Sequence, residues 1–134
     1  SNEKGMIMPV SVEFQNNLAI VTWENPVSQD DFMKIFAMLE PVYRAATVPI
    51  HSIFLADKLT NLPPHAISTF IKDPRSPLVN PMAGITIVVS TKMFIRAITD
   101  TAAKMRPAGK ILTAATLDEA LAKLETSLTM EQEA

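Results

Sequence analysis

Ile50-His51-Ser52-Ile53-Phe54-Leu55 is a nearly continuous apolar run, the pattern of a strand covered on both faces. Gly84 to Val89, Gly-Ile-Thr-Ile-Val-Val, repeats that pattern as a further buried strand. Between them, Leu62-Pro63-Pro64-His65 reads as a loop running into a helix, with Ile67, Phe70 and Ile71 as its buried stripe. Residues 73–81 hold three prolines and read as an ordered or semi-extended loop. Ser90-Thr91 caps a predicted helix from about Lys92 to Met105, whose expected core face is Phe94, Ile98, Ala102 and Met105. Lys110 to Thr113 follows as a short last strand. Thr116-x-x-Glu119 is a capping box opening a helix lined by Leu117, Leu121, Leu124 and Leu128, with Thr129 to Ala134 expected to fray.

Toward the N-terminus, Val10, Val12 and Phe14 alternate with Ser11, Glu13 and Gln15, the period of a half-buried strand. Asn16-Asn17 tolerates the positive φ of a tight hairpin, and Leu18 to Glu24 is the return strand. Ser28 with Asp31 forms a capping box, Val27 can staple to Phe32, and Phe32, Ile35, Phe36, Leu39, Val42 and Tyr43 recur at helical spacing. Pro41 interrupts that helix and predicts a kink or break near Glu40. The order β-β-α-β-α-β-α-β-α implies an α/β fold: a mixed sheet with an antiparallel opening hairpin, otherwise parallel strands, and flanking helices. Its 134 residues are expected to form a single domain, with a core from about 10 to 128.

Composition narrows the function. Twelve basic against fourteen acidic residues leave no broad footprint for nucleic acid or an anionic membrane. Zero cysteines exclude disulfides, thiolate metal sites and a cysteine nucleophile. The three glycines, Gly5, Gly84 and Gly109, are too far apart for a phosphate-cradling loop. No apolar run nears the roughly 18 residues of a membrane span, and no basic-then-apolar leader is evident, so a cytoplasmic protein is expected.

The arrangement from about Val10 to Leu128 resembles the STAS domain, the fold of SpoIIAA-like anti-sigma-factor antagonists of bacteria. The stretches that carry the resemblance are Ile50 to Asp57, Gly84 to Val89, and Thr116-Leu117-Asp118-Glu119-Ala120-Leu121, similar to a family ending S/T-x-x-E-A-L. Regulated members carry an Asp-Ser/Thr-Ser/Thr-Gly segment at the start of the second helix, where a kinase phosphorylates a hydroxyl. Here that region reads Thr60-Asn61-Leu62-Pro63-Pro64-His65-Ala66-Ile67, without a serine at the helix start or a glycine, so the phosphorylation switch is not carried over. The resemblance implies a non-enzymatic module that regulates a protein partner.

Several residues admit a chemical reading beside an ordinary one. His51 and Asp57 share a strand face but lie roughly 20 Å apart along an extended strand, and His65 near Asp57 supplies two ligands where structural zinc wants about four, so no metal site is expected. No nucleophile elbow surrounds Ser11, Ser52, Ser68, Ser76 or Ser90. Asp30-Asp31 and Asp118-Glu119 fall in first helical turns, where negative charge complements the helix dipole. Ser90-Thr91-Lys92 fits an anion site at the C-terminal sheet edge or an ordinary cap with an exposed lysine. Lys92, Arg96, Lys104, Arg106 and Lys110 form a basic face, explained by an i,i+4 ladder through Asp100 or by docking of an acidic partner. Met33, Met38, Met93 and Met105 read as core filler or helix-flank contacts. Met6, Met8 and Met82, with Pro81 and Leu78, outline an apolar patch for a homodimer or an apolar ligand.

These readings converge on a protein-interaction module without catalytic residues, cofactor or metal. Its expected partner-binding residues are Thr60, Asn61, Pro64 and Arg75. The alternative is a small-ligand binder, apolar or anionic, using Asp57, His65, Ser90, Thr91 and Lys92 at the C-terminal edge of the sheet.

Overall fold

The computed structural model describes residues 10–24, 28–107 and 110–133. The elements are β1 (Val10–Gln15), β2 (Leu18–Glu24), α1 (Gln29–Ala45), β3 (Ile50–Lys58), α2 (Ala66–Lys72), β4 (Ala83–Val89), α3 (Met93–Ala103), β5 (Ile111–Ala114) and α4 (Leu117–Glu133). The five strands lie in chain order, β1-β2-β3-β4-β5. The β1–β2 pair is antiparallel, turning at Asn16 with φ 57°, and every later pair is parallel.

Each parallel step moves the chain one strand in the same direction, so right-handed crossovers put α1, α2 and α3 on one face. There Phe32, Phe36, Leu39 and Tyr43 of α1, Ala66 of α2 and Ile95 of α3 pack on Val21, Trp23, Phe54 and Ala56. α4 covers the other face, where Ala120 and Leu124 meet Ile53, Ile85, Ile87, Val89 and Ala114. β3 is buried from Ile50 to Phe54, as its apolar run requires.

The first capping box forms as expected: Asp31 N–H donates to Ser28 Oγ at 3.2 Å, and Ser28 N–H to Asp31 Oδ2 at 2.8 Å. Val27 lies outside the described residues. The break expected at Pro41 does not occur, and α1 is assigned helical through Ala45. Pro41 and Ala37 are both exposed, so the carbonyl that loses its donor lies on the water side. α4 likewise continues to Glu133 instead of fraying from Thr129. Its opening is a modified box: Glu119 N–H donates to Thr116 Oγ1, while the Glu119 carboxylate accepts from Ala115 N–H rather than from the cap residue.

α3 is rotated from the face read off its sequence. Ile95, Thr99 and Ala102 are buried, Phe94 and Met105 are exposed, and Ile98 is intermediate. Thr99 enters the core because its hydroxyl donates to the Ile95 carbonyl at 2.8 Å, which removes its need for water. α2 is also less covered than its stripe suggested. Only Ala66 is buried, while Phe70 and Ile71 are intermediate and Ile67 is 39% exposed. Phe70 is nonetheless an aromatic hub, with ring centroids 5.1 to 6.0 Å from Phe32, Phe36, Trp23 and Phe54.

Loop 73–81 is ordered by its own polar groups. Ser76 Oγ donates to Phe70 O at 2.6 Å and accepts from Leu78 N–H, and Asp73 accepts from the backbone and side chain of Arg75.

Candidate functional site

The C-terminal edge of the parallel sheet gathers four of the five residues expected to bind a ligand. The register Leu55↔Val89 carries Asp57 and Thr91 out of the sheet side by side. Asp57 Oδ1 accepts from Thr91 N–H at 2.8 Å and from the Ser90 and Thr91 hydroxyls at 3.1 Å each. These donors, the Thr91 backbone first, hold the Asp57 carboxyl below the usual carboxylate range. Ser90 Oγ accepts in turn from Lys92 N–H, and the Lys92 ammonium donates to the Leu59 carbonyl at 2.5 Å. The result ties β3 to the entry of α3.

The sequence leaves Ser90, Thr91 and Lys92 either as donors open to an anion or as an ordinary cap with an exposed lysine. In the structure the Asp57 carboxylate already occupies two hydroxyls and one amide, and α3 begins at Met93 with Lys92 as an N-cap whose side chain makes no capping bond to the helix. His65 stands apart as the N-cap of α2, where its carbonyl accepts from Ser68 Oγ and Thr69 Oγ1; no hydrogen bond joins it to Asp57 among the described residues.

Of the residues expected to meet a partner, Thr60, Asn61 and Pro64 are exposed, and Ile67 and Ser68 extend the same surface onto α2. Ser68 and Thr69 fall within the first turn, a placement the proline-rich loop concealed. Arg75 is paired with Asp73 at 2.8 Å and lies over the Phe36 ring of α1 at 5.9 Å.

The basic ladder on α3 is absent among the described residues. Arg96 donates to the Ser90 carbonyl, Lys110 meets Glu131 at 3.8 Å, and Asp100 has no ion-pair partner among the described residues. The methionine readings change too. Met33 packs against the core, but Met93, Met105 and Met38 are exposed. Leu78 is buried and Met82 packs on the core, so neither offers the expected apolar patch, and Met6 and Met8 lie outside the described residues.

His51 is structural. Its imidazole is buried, and Nδ1 accepts from Ile85 N–H at 3.0 Å where the β3–β4 register shifts. Burial lowers its pKa, keeping the ring in the neutral form an acceptor requires. Gly84 makes room for it, since a Cβ there would overlap the imidazole. No group of three or more metal-ligating side chains occurs among the described residues.

Two features escaped the sequence reading. The Tyr43 and Ser52 hydroxyls approach each other under α1 without completing a hydrogen bond of ordinary geometry, and burial pushes the Tyr43 pKa up to about 12. Secondly, an apolar cavity of about 80 Å³ lies between α2, α3 and the sheet, lined by Trp23, Phe54, Phe70, Thr86, Ile98 and Ala102 among others. Its walls come from seven elements, so no single stretch of sequence announces it.

No helix among the described residues is long and apolar enough to cross a membrane. No protein-family model matches the chain, and no curated protein matches it. Solved structures do. A DUF3478-family protein with a SpoIIAA-like fold from Shewanella loihica PV-4 aligns with TM-score 0.64 and 14% identity, over 84% of this chain and 89% of its own. The anti-sigma factor antagonist SpoIIAA in its unphosphorylated form aligns with TM-score 0.64 and 14% identity, over 87% of this chain and 97% of its own. The Bacillus cell fate determinant SpoIIAA in its phosphorylated form gives TM-score 0.64 and 14% identity, over 86% and 98%. The element order, the antiparallel opening pair and these superpositions together establish that the chain has the STAS, or SpoIIAA-like, fold.

Proposed function

We propose that the chain is a non-enzymatic regulatory module of STAS type, acting in the bacterial cytoplasm by binding a protein partner through α2 and the loop before it. The observation that carries this reading is the surface itself. Thr60, Asn61, Pro64, His65, Ile67 and Ser68 are all exposed along one short segment, on the helix that buries only one of its own residues. Polar groups surrounding a partly exposed isoleucine suit a modest, reversible interface. The likeness to an anti-sigma factor antagonist supports the same class of role.

The reading excludes a phosphorylation switch at the start of α2. One neighbour is known in a phosphorylated form, but here Pro63 and Pro64 stiffen the approach and the Ser68 and Thr69 hydroxyls are turned back onto the His65 carbonyl. Catalysis is unsupported for a related reason: the buried histidine is committed to the backbone, and the exposed Asp57 is committed to three donors.

Affinity capture from the source cells with wild type, Ile67→Glu and Leu121→Glu tests the interface. Both substitutions place charge at similarly exposed positions, on α2 and on α4. A partner retained by Leu121→Glu and lost with Ile67→Glu supports the α2 surface. A partner retained equally by both, or lost only with Leu121→Glu, refutes it.

A further inference from the structure

The two edges of the sheet are finished differently. Thr86 and Ser90 N–H donate to the Lys110 and Ala114 carbonyls, so even-numbered residues of β5 face β4 and Thr113 faces away. That outward Thr113 carbonyl accepts from the Lys123 ammonium at 2.6 Å, and β5 is only four residues long. Shortness and a lysine on the edge are usual guards against pairing with a foreign strand. β1 has neither. It runs six residues without bulge, proline or lysine, and among the described residues it pairs only with β2. Ser11, Glu13, Phe14 and Gln15 are exposed along it.

The groups that β1 leaves open follow from its hairpin. Gln15 and Leu18 flank a two-residue turn and exchange both main-chain bonds, as do Glu13 with Ile20 and Ser11 with Thr22. The N–H and C=O groups of Val10, Val12 and Phe14 therefore point away from the sheet. On the face under α1, Phe14 is 43% exposed. Gln29 and Met33 mark the flank of α1 toward α2 and its loop, through Thr69 and Arg75. Met38, 37% exposed, falls on the opposite flank, toward β1.

We propose that this edge is a homodimer interface, where β1 of a second copy pairs antiparallel and joins the two sheets into one. Outward groups must meet outward groups, so even-numbered residues pair with even-numbered ones. Two twofold registers keep most of the strand paired, one centred on Glu13 and one on Val12. The first sets Glu13 against Glu13 of the second copy, and like charges directly opposite are destabilising. The second sets Val12 against Val12, Phe14 against Val10, and Ser11 against Glu13. There the exposed ring gains an aliphatic neighbour, the carboxylate gains a hydroxyl donor, and about six main-chain hydrogen bonds form. β1 is thus complementary to itself, which argues for a second copy over an unrelated strand. The interface lies across α1 from α2, so a dimer presents two α2 surfaces, and the proposal does not depend on what α2 binds.

Sedimentation velocity of the full chain from about 1 to 500 µM at low salt tests it. The expected result is a concentration-dependent monomer–dimer equilibrium. Ser11→Lys places an ammonium opposite each Glu13 and is expected to tighten association about fivefold, and Ser11→Glu to weaken it about fivefold, both effects fading in about 1 M salt. Thr129→Lys makes the same charge change at an exposed position on α4 and is expected to alter the dimer constant by less than about twofold. Ile67→Glu is expected to leave that constant unchanged, so a failure of the α2 reading and a failure of the dimer are read separately. The chain has no cysteine, so Val12→Cys carries a single thiol at the twofold axis, where paired Cα atoms about 5.5 Å apart suit a disulfide. In a glutathione redox buffer it is expected to give at least about tenfold more cross-linked dimer than Gln15→Cys. A monomer at every concentration, equal cross-linking of the two cysteine variants, or a dimer indifferent to the Ser11 charges each overturns the proposal. If Val12→Cys does not fold, the Ser11 series decides it.

Discussion

Replacing Gly84 by alanine tests the role assigned to His51. The added methyl would overlap the imidazole at Nδ1 and Cε1, and Pro49 also crowds the position. The ring must move, and moving it takes the acceptor away from the Ile85 N–H, which is buried beside it. An orphaned buried donor costs about 1–3 kcal/mol, and displacing a packed side chain costs about 1–3 kcal/mol more. Against this, losing glycine's freedom in the unfolded chain returns about 0.4–1 kcal/mol. The net expectation is a destabilisation of about 1–5 kcal/mol, read by urea unfolding at pH 8 with Trp23 fluorescence and an unchanged m-value. The assay becomes specific when repeated in a His51→Ala background. There the imidazole is already gone and its donor already orphaned, so the same methyl should cost at least about 1 kcal/mol less. A cost of Gly84→Ala below about 0.5 kcal/mol, or an equal cost with and without the imidazole, would refute the close-packing argument.

Other expectations follow from the same geometry. Because the folded pKa of His51 lies below its unfolded value of 6.5, its contribution is fully present above about pH 6.5 and is lost as pH falls through the folded value. His51→Asn, which keeps an acceptor but does not titrate, should flatten that fall in urea midpoints measured from pH 8 to pH 5, after Glu131 and Lys110, the charges that bear on the ring, are shown unchanged. Asp57→Ala should cost about 1 kcal/mol at pH 7, the low end for a charged acceptor because the group is exposed, and thermal melts should show the difference vanish as pH falls through the depressed folded pKa. Phe70→Ala removes the ring that touches four other aromatics and should cost about 3 kcal/mol in the same unfolding assay, with a shift in Trp23 emission. Ser28→Ala breaks the capping box and should lower stability by about 1 kcal/mol, measured by calorimetry.

The alternation of apolar runs and capped helices made the element order legible, because burial on both faces and helical spacing leave different traces in composition. Helix rotation was less legible. On α3 both Phe94-Ile98-Met105 and Ile95-Ala102 are apolar stripes, and the choice between them turned on Thr99, whose polarity is concealed by its bond to the Ile95 carbonyl. The Asp57–Ser90–Thr91 cluster could be suspected but not assembled, because its proximity depends on the parallel pairing of Leu55 with Val89, and strand register is not written in either strand alone. The surroundings of Arg75 were hidden by the same limitation: its pairing with Asp73 is local, but its position over Phe36 depends on how the loop returns to α1.

The single-sided order of the crossover helices also has a consequence in time. A ribosome delivers β1 to β5 in the order in which they sit in the sheet, so each strand can dock on the one made just before it. α4 comes last, yet it packs over Ile53, Ile85, Ile87 and Val89. Until α4 emerges, the growing sheet shows the cell a broad hydrocarbon face, and products that stop after β5 should be substrates for chaperones and proteases rather than working modules.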